Sequence, residues 1–166
     1  KENYFMLDGS VGLDLMDFYD GMDVLYWVLD GDVRYTNKSR EDTRANAILF
    51  NEKEVEVDMR EFLQNRKISK FMLMYDPSYG QTVKKKAEYY HNPVCVGFST
   101  ANYLFEYVDP RVNKGTGVEK ICEHFGCKLE NVVAFGDELN DLEMLKKSYE
   151  MRLAEVKTER AHIRDE

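Results

Sequence analysis

The sequence contains no run approaching the roughly 20 apolar residues that a membrane-spanning helix needs. Its first residues, Lys1-Glu2-Asn3-Tyr4, lack the apolar core of a signal peptide. Positive charge is not in excess either. A formal net charge of −8 argues against a nucleic-acid or anionic-membrane partner, because a phosphate backbone is held by a basic face. Cysteine is scarce: Cys95, Cys122 and Cys127 are odd in number and form no CxxC pair. That pattern fits free thiols in a reducing cytosol better than a disulfide framework. His91, His124 and His162 stand apart, and they are read as surface or core residues rather than zinc ligands. There is no internal repeat and no low-complexity linker.

What is present suits a soluble globular protein: 166 residues, 43% hydrophobic and 33% charged, enough for one domain or two small ones. Leu13, Met16 and Phe18 predict a short amphipathic helix after Asp8-Gly9-Ser10. Val24 to Val28 and Val33 to Thr36 are rich in β-formers around Asp30-Gly31, the strongest local signal for a hairpin. Ser39 to Phe50 reads as a helix with Ser39 as its N-cap. Val55 and Val57 alternate with charges as in a short strand, and Asp58 to Asn65 reads as a helix with Met59, Phe62 and Leu63 inward. A strand over Ile68 to Tyr75 ends at Asp76-Pro77, and residues 78 to 91 form a helix whose Lys84-Lys85-Lys86 run is a wet face. Val94 to Ser99 and Tyr103 to Val108 make a second hairpin. Gly115 to Phe125 is helical, with Val118, Ile121, Cys122 and Phe125 inward and Gly126 as its stop. A short strand through Met151 and Leu153 and a helical turn from Glu155 follow. The elements change character near Asp109-Pro110, and a domain boundary is placed there.

The most informative stretch is Val132-Val133-Ala134-Phe135-Gly136-Asp137-Glu138-Leu139-Asn140-Asp141. Its four apolar residues predict a buried strand, and Leu139, Leu142 and Leu145 predict the helix after it. Polar oxygens therefore emerge at the carboxyl end of a strand, where open α/β sheets bind ligands. Carboxylates there suit Mg²⁺, which takes one or two of them together with water and substrate phosphate. Gly136-Asp137 alone specifies only a turn. The second constellation is Asn113-Lys114-Gly115 at a helix entrance, where an ammonium and backbone N–H groups can clamp an anion together. A lone lysine there is more often a surface residue.

Gly136-Asp137-x-x-Asn140-Asp141-x-x-Met144-Leu145 resembles the fourth motif of the haloacid dehalogenase superfamily, in particular its Cof-type sugar-phosphate phosphatases. Glu106-Tyr107-Val108-Asp109-Pro110-x-Val112-Asn113-Lys114-Gly115 resembles the segment of those proteins that ends in the third motif. The match is clear over residues 94 to 147 and looser over 22 to 93. It implies an α/β fold, with a haloacid-dehalogenase-like Rossmannoid core, partial in this chain, and an inserted α+β cap. Residues 1–109 would be mostly cap, and residues 110–166 the C-terminal part of the core. It implies Mg²⁺-dependent hydrolysis of phosphate monoesters of sugars or similar small metabolites through an aspartyl-phosphate, in the cytoplasm. Lys114 would hold phosphate and screen the nucleophile, and Asp137 would bind Mg²⁺. Asn140 would touch phosphate or orient the site, and Asp141 would support Lys114 or the metal's water shell. The family's Asp-x-Asp-Gly-Thr nucleophile motif does not occur, and Met6-Leu7-Asp8-Gly9-Ser10 is the nearest string. The nucleophile is therefore expected outside these residues. The alternative is a catalytically inactive relative that binds phosphometabolites. Oligomeric state is not legible.

Overall fold

The computed structural model describes residues 5–137 and 141–147. Contacts divide the chain into two compact units, Lys1–Pro110 and Arg111–Glu166.

The first unit is built on a six-stranded sheet. Its strands are β2 (Leu25–Asp30), β3 (Val33–Thr36), β4 (Lys53–Glu56), β6 (Lys70–Met74), β7 (Val96–Ala101) and β8 (Leu104–Val108), and their order is β4-β3-β2-β6-β8-β7. All neighbours are antiparallel except β3 and β4. Those two are parallel because α2 (Glu41–Leu49) carries the chain back between them, as a parallel pair requires. Strands β1 (Leu7–Asp8) and β5 (Lys67–Ile68) form a separate antiparallel pair.

Period-two alternation sorts the strand residues between two faces. Tyr26 and Val28, Phe71 and Leu73, and Phe105 and Tyr107 share one face. Three helices bury their apolar stripes there: α1 (Gly9–Phe18) with Val11, Leu15 and Met16, α3 (Met59–Leu63) with Met59 and Leu63, and α4 (Gly80–Ala87) with Val83. Trp27, Arg34 and Thr36 take the other face, on the side of α2. The Arg34 guanidinium lies 3.9 Å from the centre of the Trp27 ring, and its Nη1 donates to Asn46 Oδ1 of α2 at 2.9 Å. A second contact, Arg34 Nε to Glu52 Oε2 at 2.8 Å, completes the pairing that lets a guanidinium be buried.

Local chemistry explains most boundaries. The hairpin between β2 and β3 turns on Gly31-Asp32, with Gly31 at φ +60°. Asp8 caps α1 by accepting from the Ser10 N–H, and Asp58 caps α3 by accepting from Arg60 and Glu61. Ser39 does not cap α2. Its hydroxyl donates to Glu54 Oε1 at 2.6 Å, and Arg40 occupies the cap position, with its N–H donating to Thr43 Oγ1 at 2.9 Å. The acceptors supplied by β4 outcompete the local cap, and a local sequence pattern does not show them. The expected strand over Ile68 to Tyr75 is broken at Ser69 into β5 and β6. The helix expected from residue 78 begins as a 3₁₀ turn, Pro77–Tyr79, and stays regular only to Ala87.

In the second unit, α5 spans Lys114–Phe125 and ends on Gly126, whose φ of +65° is the left-handed geometry that glycine adopts without strain. A 3₁₀ turn, Leu129–Asn131, follows, and residues 142–147 are helical from Leu142 onward. Two expectations are overturned here. Residues 132–137 belong to no sheet, and Val133 and Phe135 are 58% and 85% exposed. A strand exists only through a hydrogen-bonded neighbour, and no described strand lies beside this one. The inward face expected of α5 is likewise largely exposed. Cys122 is buried, Ile121 and Phe125 are not, and Val118 is half-buried. Apolar periodicity marks a face for burial but does not supply what covers it. The strand and turn expected after residue 150 lie outside the described residues.

No described helix is long and apolar enough to cross a membrane.

Candidate functional site

The site is assembled within the second unit by two short pieces of backbone. The first is the entrance to α5. Asn113 is extended at φ −148° and ψ 164°, and its Oδ1 accepts from the Thr116 N–H at 2.9 Å. This is the usual way an amide side chain satisfies a helix N-terminus. The cap places Lys114 in the first turn. Its side chain is about half exposed, at 49%, with the ammonium turned toward Asp141.

The second piece is the backbone at Gly136-Asp137 together with Asp141, which directly precedes the helix of residues 142–147. Asp141 is 5% exposed and is committed on both carboxylate oxygens. Oδ1 accepts from Lys114 Nζ at 2.5 Å, and Oδ2 accepts from the Asp137 N–H at 3.3 Å. The carboxylate thus ties the lysine to the backbone at Asp137. Gly136 makes the approach possible. A Cβ built on it would lie 2.3 Å from Asp141 Cβ and 2.5 Å from Cγ, a collision that backbone or side chain would have to relieve by moving. An ion pair between Lys147 and Glu119 joins residues 142–147 to α5.

Three of the four residues singled out from the sequence are therefore brought together: Lys114, Asp137 and Asp141. Asn140 lies outside the described residues. The pattern of residues did not reveal that both Asp141 oxygens are used internally. It also gave Asn113 no role beyond its place in the motif, although an Asn directly before a helix is itself a legible cap signal.

The donor set can be tested against a divalent cation. Among the described residues, no three His, Cys, Asp or Glu side chains converge. Mg²⁺ does not demand such a cage, because it keeps several waters and takes one or two protein carboxylates. The exposed Asp137 fits that requirement, and Asp141, spent on Lys114 and on backbone, does not. The chemistry on offer is an ammonium held by a buried carboxylate that also accepts from the Asp137 backbone N–H, with the exposed Asp137 side chain as a further carboxylate.

Comparison with known proteins gives a consistent result. The sequence profile of the haloacid dehalogenase-like hydrolases matches residues 7–154. A 5-amino-6-(5-phospho-D-ribitylamino)uracil phosphatase of Bacillus subtilis is 43% identical over 44 residues, which are 26% of this chain and 16% of that protein. A phosphoglycolate phosphatase of Methanothermobacter thermautotrophicus is 41% identical over 44 residues, 26% of this chain and 20% of that one. Among solved structures, a haloacid dehalogenase-like hydrolase from Bacteroides thetaiotaomicron superposes with a TM-score of 0.71 at 21% identity, covering 86% of this chain and 54% of that chain. A sugar phosphatase of haloacid dehalogenase subclass IIB superposes with a TM-score of 0.63 at 18% identity, covering 88% and 54%. These likenesses, at such identities, concern the fold. The chain spans about half the length of the solved structures it matches.

Proposed function

The chain belongs to the haloacid dehalogenase-like hydrolase family, and from that premise we propose that it takes part in the hydrolysis of phosphate monoesters of small metabolites, with Lys114 holding the phosphoryl group. The observation that carries this reading is the Lys114–Asp141–Asp137 link, in which one buried carboxylate accepts from the ammonium and from the Asp137 backbone N–H. Lys114 would neutralise charge on the phosphoryl oxygens, and Asp141 would act as a positioning residue through its 2.5 Å contact with the amine. Asp137 would be the carboxylate offered to Mg²⁺, which supplies further charge neutralisation when bound. Asn140 keeps the part implied by its place in the motif, a contact to phosphate. The aspartyl nucleophile is assigned to no residue of this chain.

The unit Lys1–Pro110 is proposed as the cap, the part that supplies substrate contacts, and the unit Arg111–Glu166 as the C-terminal part of the core. The phosphatases named among the relatives support a small phosphorylated substrate. Three free cysteines support a reducing, cytoplasmic setting.

The test is hydrolysis of p-nitrophenyl phosphate by the complete protein, with and without Mg²⁺, beside Lys114→Ala. Turnover that needs Mg²⁺ and falls about 10²- to 10³-fold in the variant is expected for the loss of one charge-stabilising group. Metal-independent turnover, or a variant as active as the parent, would overturn it. A second reading, a binder of phosphometabolites without turnover, would require that the complete protein carry no Asp-x-Asp-Gly-Thr motif. Saturable phosphate binding lost in Lys114→Ala, with no hydrolysis by the complete protein, selects that one. Broadening of backbone resonances around Asp137 by Mn²⁺ reports the metal site independently of activity.

A further inference from the structure

The C-terminal end of α5 carries two sulfhydryls that the phosphate site does not use. The Cys127 N–H donates to the Cys122 carbonyl at 3.0 Å, across Gly126 in its left-handed conformation. This is the six-to-one bond of a Schellman motif, which characteristically sets the side chain after the glycine against one in the last helical turn. Ordinarily two apolar side chains meet there. Here both positions are cysteines. A 3.0 Å N···O bond also keeps the two Cα atoms within about 7 Å, the span that a disulfide bridges. Cys122 is buried and Cys127 is exposed, so one thiol meets solvent and the other waits behind it. Cys95 belongs to the first unit and is buried in its core.

We propose that Cys122 and Cys127 form a reversible dithiol/disulfide site, closed by a low-molecular-weight disulfide such as glutathione disulfide. In the first step the Cys127 thiolate attacks one sulfur of the oxidant, a mixed disulfide forms, and one glutathione leaves as a thiol. In the second step the Cys122 sulfur attacks the Cys127 sulfur of that mixed disulfide and releases the second glutathione. Two protein thiols lose two electrons and two protons, and one glutathione disulfide becomes two glutathione thiols. Burial pushes the Cys122 thiol above its ordinary pKa. Exposed Cys127 is therefore the entry point, and Cys122 resolves the mixed disulfide. The closed bridge staples the last turn of the helix that begins at Lys114.

The test equilibrates the whole chain with glutathione buffers of graded ratio, quenches with an alkylating agent and maps the thiols by mass spectrometry. The expected product is a peptide cross-linked between Cys122 and Cys127 with Cys95 alkylated, restored to three alkylated thiols by dithiothreitol. Cys122→Ser is expected to stop at glutathione on Cys127, and Cys127→Ser to form no bridge. Half-closure in the native chain is expected at a buffer at least about tenfold more reducing than in denaturing urea, because the folded turn raises the effective concentration of one thiol at the other. A native chain that keeps three alkylatable thiols throughout, one that stops at the mixed disulfide, or equal ratios in buffer and urea would each overturn the proposal. Nearness in sequence alone would then account for any bridge.

Discussion

Asp141 shows what a single side chain can be asked to do. It is buried, accepts from an ammonium on one oxygen and from a backbone N–H on the other, and leans on a glycine that no other residue could replace at that distance. Asp141→Ala is expected to leave Lys114 unoriented and to lower kcat/KM on p-nitrophenyl phosphate about 10²-fold, the scale of a misplaced catalytic group; an unchanged value would remove Asp141 from the mechanism. At the core of the first unit, Tyr19 and Tyr107 are buried and share a 2.7 Å hydrogen bond between their hydroxyls. Burial pushes the Tyr19 hydroxyl up to about 12 and the Tyr107 hydroxyl higher still. Unfolded tyrosines lose their protons near pH 10, so above that pH the unfolded chain binds fewer protons than the folded one. Stability is therefore fully present below about pH 10 and declines from there toward about pH 12. Urea midpoints measured from pH 8 to 11.5 should show that decline, and it should be shallower in Tyr19→Phe; parallel profiles would refute the assignment. Glu52 faces Arg34, a guanidinium buried against Trp27. Glu52→Ala is expected to cost about 3 kcal/mol in urea unfolding, because it strands a buried charge.

Among the elements, those organised by local chemistry were the legible ones. The Asp30-Gly31 hairpin, the helix after Asp58 and the helix ended by Gly126 stand where turn and cap residues put them. Asp58 accepts from two N–H groups of α3 at 2.9 and 3.1 Å. In so short a helix, Asp58→Ala should cost about 1 kcal/mol, read as a lowered urea midpoint, whereas Asp58→Asn should retain most of the stability. The misreadings share one cause. Ser39 was drawn from its cap by Glu54, Ser69 divides one expected strand into two, and residues 132–137 form no ladder. In each case the deciding partner lies far away in sequence, or is not among the described residues. Short apolar runs specify a tendency to pair, and the neighbour decides whether pairing happens.

For the molecule as a whole, the contacts divide the chain into two units, with the boundary between Pro110 and Arg111. Brief trypsin treatment of the native chain should therefore release an early fragment ending at the exposed Arg111. Prior cleavage at Lys70, within the six-stranded sheet, would contradict that organisation. Sequence alone was sufficient for the family, the α/β class and most helices and hairpins, because these rest on short-range patterns: two motifs in order, apolar period, caps and turn residues. It also named Lys114, Asp137 and Asp141. Only the tertiary structure decided that Asp141 spends both oxygens inside the site, that Arg34 is buried under a pairing from α2 and Glu52, that Val133 and Phe135 stay exposed, and that a backbone hydrogen bond joins two cysteines across a helix end. Those outcomes depend on which distant groups compete for the same hydrogen bonds and the same apolar surface, and a linear pattern does not contain that competition.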